Sequence, residues 1–337
     1  MFGLDDEREA EQFDALIASN TTYRNIVDVL GEHLEGGYFL YRFADPTYIV
    51  GHAVVRALLA HGFLVRCLVR PGSEAALKGF ESIDRVPGDV LEPDALAASV
   101  EGCGAIVHLV GIIREHRTRG VTFDRLHTQA TANMLAVAHE AGVKRYIQMS
   151  AVGTRPGATS RYHQTKWQAE EVVRASALDW TIIRPSLIYG PGDEFVSVLA
   201  RMMRRLPAMP VLGDGQYRVQ PVAVEHVAEG FARALQLSAS VAQTYEVGGP
   251  EAYRFVDLLD QIGLALGLRK VRKIHAPIGV VKVMTRAFGW LPFYPVTKDQ
   301  LIMLEEGNVT DPSRFNADFG ITPEPLAQGL KRMFHMP

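Results

Sequence analysis

Cysteine is scarce in this sequence: Cys67 and Cys103 are the only two, and both lie in apolar runs. That excludes a disulfide-stapled scaffold and fits a reduced, intracellular protein. No basic start leads into an apolar stretch, so no secretory signal is expected. No uninterrupted apolar run reaches the ~18 residues of a membrane span. The nearest candidate, 276–295, is broken by Lys282 and Arg286 and reads as a second-lobe helix, with a membrane-surface segment as the alternative. An excess of positive charge is missing as well. The net charge of −3 provides no field that would favour nucleic acid. There is no internal repeat or low-complexity tract, and no metal-ligating set is assigned.

What is present is ordinary globular composition, 47% apolar and 22% charged over 337 residues. The charge is uneven. Residues 1–35 hold nine acids against Arg8 and Arg24, a net of −7, so the remainder carries +4. Apolar spacing predicts helices over 5–18 and 22–34, ended by Gly36-Gly37. This acidic helical extension (1–37) is either merely solvated or a partner-binding surface.

From residue 38 strands and helices alternate. Strands are predicted at 38–43, 64–69, 83–86, 105–109, 145–149 and 180–183, with helices at 51–61, 93–101, 122–142 and 163–176. Such alternation implies an α/β fold, a doubly wound parallel (Rossmann) sheet covered on both faces. The domain organisation expected is 38–190 for that sheet and 191–337 for a smaller, mostly helical substrate lobe, some of whose segments return to the sheet. In the lobe, helices are predicted near 194–205, 225–236, 255–266 and 277–289.

Several residues carry chemistry. The second strand ends in Arg70 with no acid before Glu74. An arginine there attracts a 2′-phosphate, so it points to NADP(H) over NAD(H); a solvated surface arginine is the alternative. Asp89, with Val90 after it, follows the third strand and can accept from an adenine amino group; an Asp at a strand end is also a common helix cap. Tyr162 and Lys166 form Tyr-x-x-x-Lys and share one helix face. An ammonium beside a phenol favours the phenolate, which can exchange a proton with a carbonyl or hydroxyl as hydride moves. A surface helix pair is the bland alternative. "TIIRPSLIYGPGD" (181–193) reads as a buried strand followed by an irregular turn.

Together "GDVLEPDAL", "GAIVHLVGIIRE", "TANMLAVAHEAGVKRYIQMSA", "SRYHQTKWQAEE", "DWTIIRPSLIYGPGD", "QPVAVEHVAEGFARAL" and "TYEVGGPE" resemble the extended and atypical branch of the short-chain dehydrogenase/reductase superfamily, the NAD-dependent epimerase/dehydratase-like proteins. "HLVGIIRE", "SRYHQTK" and the tail from Thr297 resemble, more narrowly, the nucleotide-binding accessory-subunit group of respiratory complex I and its bacterial relatives. The resemblance covers about residues 38 to 334. It implies Tyr162 and Lys166 as the acid/base pair, with Ser150 near the third partner's place; an alternative alignment puts Val152 there. It implies Asn133 as a structural asparagine. It implies cofactor contacts at Gly51, Arg70, Asp89, Val90, Leu109, Val110, Gly111, Lys166, Arg184, Pro185 and Ser186. The partners implied are a dinucleotide and a respiratory membrane complex or another protein. The location implied is cytoplasm or an organelle matrix, with attachment at the inner-membrane periphery as an option.

The sequence departs from the superfamily in its phosphate loop. Counting back from Gly51, Tyr48 stands for the middle glycine of Gly-x-x-Gly-x-x-Gly and Asp45 for the first. The two lost glycines would permit a tight turn and close backbone approach to a pyrophosphate. An aspartate there repels it: like charges ~4 Å apart at an effective dielectric near 20 differ by about 4 kcal/mol, roughly a thousandfold in affinity. Pro46 removes one amide donor. Three readings compete. The fold persists with weak or lost cofactor binding; or an insertion shifts the register and other amides serve; or the first ~48 residues are not a natural continuation, as after an upstream frame error.

Overall fold

A computed structural model describes residues 24–28, 47–71, 73, 77–279 and 297–335. Its core is a seven-stranded sheet: β1 (Arg24–Asp28), β2 (Leu64–Val69), β3 (Asp84–Pro87), β4 (Ala105–His108), β5 (Arg145–Met149), β6 (Asp179–Pro185) and β11 (Gln243–Val247). The order is β11-β6-β5-β4-β1-β2-β3, and every pairing is parallel. The order reverses between β1 and β4, which opens the crevice where such sheets take ligands.

Helices cover both faces. Alternate residues of the central strands point to opposite layers: Ile106, Tyr146 and Ile182 to one, Val107, Ile147 and Ile183 to the other. α1 (Thr47–Ala60) packs on the second face through Val50, Val54, Val55 and Leu58, beside Val227 and Phe231 of α6 (Val224–Gln236). The first face carries α2 (Pro93–Val100), α3 (Ala130–Glu140) and α4 (Arg161–Ala175) through Leu96, Met134 and Val173. A π-helical turn, Asp124–Gln129, leads into α3. α1 closes at Gly62, whose φ of +76° suits the left-handed end of a helix; Phe63 N–H donates back to the Leu58 carbonyl.

The smaller lobe has its own apolar cluster. It is built on β7 (Ile188–Tyr189), α5 (Val196–Arg205), β8 (Met209–Leu212), β9 (Arg218–Val219), β10 (Val222–Ala223), β12 (Tyr253–Arg254), α7 (Phe255–Ala265) and β13 (Lys273–Ala276). After it come α8 (Lys298–Glu306), α9 (Ser313–Phe319) and α10 (Leu326–His335). α10 packs into the lobe through Leu326 and Leu330, whereas Phe315 and Phe319 of α9 return to the sheet's second face.

One expectation is corrected. The stretch 22–34, whose spacing predicts a helix, contains β1. Ile26 and Val27 fit a helical stripe and a buried parallel strand equally well over so short a run. The slot between β2 and β4 decides the matter, because a central strand there pairs on both edges, Val27 with Cys67 on one side and Val107 on the other. The sheet thus begins before residue 38. The strand predicted at 38–43, the helix at 5–18, most of 277–289 and Asp45 lie outside the described residues. The connection from β1 to α1 runs over residues 29–46.

Candidate functional site

The C-terminal ends of β1 to β6 line one edge of the sheet, and the expected site residues sit along it. The polar centre is on α4. Ser160 caps that helix, its hydroxyl accepting from His163 N–H at 3.2 Å. Tyr162 follows, 8% exposed, and Lys166 one turn on, 2% exposed. The Tyr162 ring is boxed edge-to-face by Phe123, His127 and His163 at centroid distances of 5.9, 5.2 and 5.1 Å.

Lys166 reaches across the gap between β4 and β5. Its Nζ donates to the carbonyls of Val110 (3.4 Å) and Met149 (3.2 Å). A buried ammonium is expensive unless it is satisfied, and these two carbonyls accept from it. Gly111 lies against it: a Cβ at that residue would fall 2.8 Å from Nζ and 3.6 Å from His127 Nε2. The backbone ledge Leu109–Gly111 is thus pressed against the lysine, and a larger residue at 111 would force Nζ to shift.

His127 fixes that ledge. It is fully buried, on the π-helical turn. Its Nδ1 meets the Thr165 hydroxyl at 2.8 Å, and its Nε2 lies 3.1 Å from both the N and the O of Ile112. The Thr165 hydroxyl already donates to helix carbonyls. It therefore accepts from Nδ1–H, which leaves Nε2 to accept from Ile112 N–H. Burial, and then the Lys166 charge, hold His127 well below its ordinary pKa, so it is neutral.

Ser150, 4% exposed, begins the loop after β5. Its Oγ lies 3.4 Å from Thr154 Oγ1. Val152, the alternative position, is buried and anchored by its N–H to the Pro185 carbonyl at 2.9 Å. Asn133 Nδ2 donates to the Val90 carbonyl at 3.0 Å, tying α3 to the loop after β3. Asp89 accepts from Leu91 N–H at 2.9 Å within that loop, and Arg70 stands half-buried at the end of β2. Gly51 lies buried inside α1, and that helix's first turn meets the 190–192 turn, where a Cβ on Gly192 would fall 3.6 Å from Ile49.

The residues thus fall into two groups along one edge. Tyr162, Lys166, Val110, Gly111 and the Ser150 loop converge at β4–β5. Arg70, Asp89 and Val90 gather at β2–β3. Arg184, Pro185 and Ser186 belong to neither, for they are tied into the interior. Arg184 forks onto Glu170 (2.8 and 2.6 Å) and reaches Glu246 at 3.4 Å. The Ser186 hydroxyl donates to the Gln220 carbonyl at 2.5 Å, and the Pro185 carbonyl is taken by Val152. Sequence reasoning misses His127, Thr154, His163 and Glu170. Of these Glu170 leaves a signal: Tyr162, Lys166 and Glu170 repeat every fourth residue on one helix face.

A nicotinamide dinucleotide fits the β4–β5 half, where Gly111 lets backbone approach and a buried ammonium faces the ledge. The pyrophosphate half depends on residues outside the described ones. Among the described residues no helix is long and apolar enough to cross a membrane, and no group of three or more His, Cys, Asp or Glu could hold a metal.

Comparison with known proteins agrees with the fold. Residues 49–199 match the family model described as NAD(P)H-binding, and 152–271 match the RmlD substrate binding domain. The chain is 28% identical over 226 residues to NADH dehydrogenase [ubiquinone] 1 alpha subcomplex subunit 9, mitochondrial, of Arabidopsis thaliana, covering 65% of this chain and 55% of the relative. The Rattus norvegicus counterpart is 29% identical over 242 residues, 71% and 63%. A ceramide reductase of Caulobacter vibrioides is 32% identical over 187 residues, 56% and 57%. The chain thus spans less than two thirds of these relatives' length. Among solved structures, the dTDP-glucose 4,6-dehydratase DesIV of Streptomyces venezuelae with NAD bound superposes with a TM-score of 0.66 at 22% identity, covering 92% of this chain and 95% of that one. UDP-glucuronic acid 4-epimerase of Bacillus cereus with NAD gives 0.68 at 16%, covering 92% and 97%. These two likenesses establish the fold alone.

Proposed function

We propose that this chain, whose fold is NAD(P)-binding and similar to the extended short-chain dehydrogenase/reductase superfamily, is an accessory- or assembly-type relative of the complex I subunit that holds a nicotinamide dinucleotide weakly. What supports this is the β4–β5 half together with the sequence just before and into α1, where Asp45 and Tyr48 stand for two glycines of the superfamily pattern. Lys166, Gly111 and His127 form a ledge for the nicotinamide end. The run Asp45-Pro46-Thr47-Tyr48 lacks the glycines that would let backbone amides approach the phosphates. The likeness to mitochondrial complex I subunits supports a place beside a respiratory complex, peripheral to a membrane and on its matrix or cytoplasmic side. Arg70 at the end of β2 favours NADP(H) over NAD(H). In this role the dinucleotide is structural or regulatory. The domain division that goes with this reading is a dinucleotide-binding sheet and a smaller lobe from about residue 191.

A second reading is favoured by the intact Tyr162–Lys166 pair and by the likeness to a ceramide reductase: an oxidoreductase or epimerase/dehydratase acting on a carbonyl or hydroxyl carbon. A bound dinucleotide would supply or accept hydride. Tyr162 passes the proton, Lys166 holds the phenol's proton loosely by its charge, and Ser150 orients the substrate oxygen.

Calorimetric titration with NADPH and NADH tests the first reading. NADPH should bind more tightly than NADH, and more weakly than in relatives with three loop glycines; submicromolar NADH binding would refute it. Replacing Asp45 and Tyr48 by glycine should strengthen binding, and no gain would mean that other amides serve the phosphates. For the second reading, Tyr162→Phe should abolish any NADPH-dependent carbonyl reduction while binding persists.

A further inference from the structure

Beside the acid/base pair runs a buried chain of three polar side chains. Ser150, Thr154 and His163 are 4%, 2% and 4% exposed. Ser150 Oγ lies 3.4 Å from Thr154 Oγ1, which lies 3.3 Å from His163 Nδ1. Each member is pinned by its backbone. Ser150 N–H donates to Ile183 O at 2.7 Å and Thr154 N–H to Ala151 O at 3.2 Å; His163 N–H donates to the Ser160 hydroxyl. The chain ends against Gly153, where a Cβ would fall 3.1 Å from His163 Nε2. Gly153 also holds φ +91°, so two constraints favour glycine there.

We propose that His163 is a positioning residue: acting through Thr154, it sets whether the Ser150 hydroxyl offers its proton or its lone pairs to a substrate oxygen. This rests on the reading of Ser150 as part of a superfamily-type site.

The argument is donor counting. Each hydroxyl has one proton to donate and can accept. With a proton on His163 Nδ1, that nitrogen donates to Thr154, Thr154 donates to Ser150, and the Ser150 proton is left to point outward at a carbonyl oxygen. With Nδ1 bare, Thr154 donates to it and accepts from Ser150. Ser150 then presents only lone pairs, which suit an alcohol. No atom moves except hydrogens. The imidazole makes this choice as a neutral tautomer, since burial above all pushes its pKa down to about 4. Glu306 opposes that shift, while Arg155, Arg184 and Lys166 add to it. The groups that bear on the ring thus come from the loop after β5, from β6, from α4 itself and from α8. α8 is held there by the Arg155–Glu306 ion pair (2.9 Å) and by Asp299, which accepts from Arg161 N–H at 2.7 Å. The chemistry recognised is a secondary alcohol or its ketone, two oxidation states that one hydroxyl can serve by reversing its proton.

The test uses the full chain with ¹⁵N-labelled histidine and long-range ¹H–¹⁵N spectra at neutral pH, which need no substrate. Thr154→Val should change the His163 tautomer ratio about two- to tenfold, the weight of one net hydrogen bond, and Thr154→Ser should restore it. Ser150→Ala, two links from the ring, should move the ratio in the same direction by less. A histidine that merely fills space would not answer to Ser150. An unchanged ratio in Thr154→Val or Ser150→Ala, with native dispersion elsewhere, overturns the proposal. Saturating NADPH is then added. If it leaves all resonances unmoved while the hydroxyl variants still shift His163, the dinucleotide reading fails and the relay stands.

Discussion

Removing the negative charge of Glu170 should loosen α4 at its anchor. Glu170 is fully buried on α4, one turn beyond Lys166. Its carboxylate accepts from Arg184 Nε and a terminal nitrogen at 2.8 and 2.6 Å, and from Arg174 at 2.5 Å. In Glu170→Gln the amide NH₂ replaces one acceptor with a donor that faces guanidinium donors. Arg174 loses little, since it keeps Glu171 at 2.9 Å and lies 4.8 Å over the Trp167 ring. Arg184, with a side chain 14% exposed, is left with Glu246 at 3.4 Å. Truncating one partner of a buried pair costs about 3–5 kcal/mol; the remaining partner and partial exposure put this case near the lower bound. For a chain of 337 residues, at an unfolding entropy of about 2.1 cal/mol/K per residue, that is a fall in melting temperature of about 4 °C. Calorimetry of Glu170→Gln, Arg184→Met and the double variant Glu170→Met/Arg184→Met measures it. The double variant should recover to within about 1 kcal/mol of the parent, because paired apolar side chains of similar volume replace a buried ion pair at little cost. A single-variant cost below about 1 kcal/mol, or a double variant that merely sums the singles, would refute this account of the network.

Three further outcomes follow from other contacts. Gly111→Ala places a Cβ 2.8 Å from Lys166 Nζ and should weaken NADPH binding at least about tenfold while costing about 1–3 kcal/mol of stability, measured by titration and thermal melts; unchanged binding would separate the ledge from the dinucleotide. The His163 pKa, pushed down to about 4 from an ordinary 6.5 chiefly by burial, means that the unfolded chain takes up this proton first. Stability is then lost as pH falls from about 6.5 towards 4, by up to about 3 kcal/mol; His163→Gln should flatten that part of the stability–pH curve. Gly230→Ala would drive a methyl to 2.2 Å from the buried Phe315 ring, where α9 crosses α6; it should destabilise by about 2–3 kcal/mol, and a neutral melt would mean that α9 docks loosely.

Much of this molecule is legible in the chain alone, for local reasons. The runs at 64–69, 105–109, 145–149 and 180–183 are short, apolar and set between amphipathic stretches; a chain written so can bury them only in a parallel sheet covered on both sides. Tyr162 and Lys166 lie four apart, and helical geometry alone puts them on one face. Gly111 shows nothing in the sequence of the lysine that presses on it. The identity of β1 was not legible, because Asn25-Ile26-Val27-Asp28 satisfies helix and strand patterns alike and only the open slot between β2 and β4 selects one. Nor was the fate of Arg184, which sits where a cofactor contact is expected but is claimed by Glu170 and Glu246 from other elements. The sequence by itself determined the layers and the helix face that bears Tyr162 and Lys166, since both depend on residues near each other in the chain. Only the tertiary structure decided that Lys166, His127, Thr154 and His163 are buried near one another around α4, because close packing and the pairing of buried polar groups join residues that the chain keeps far apart.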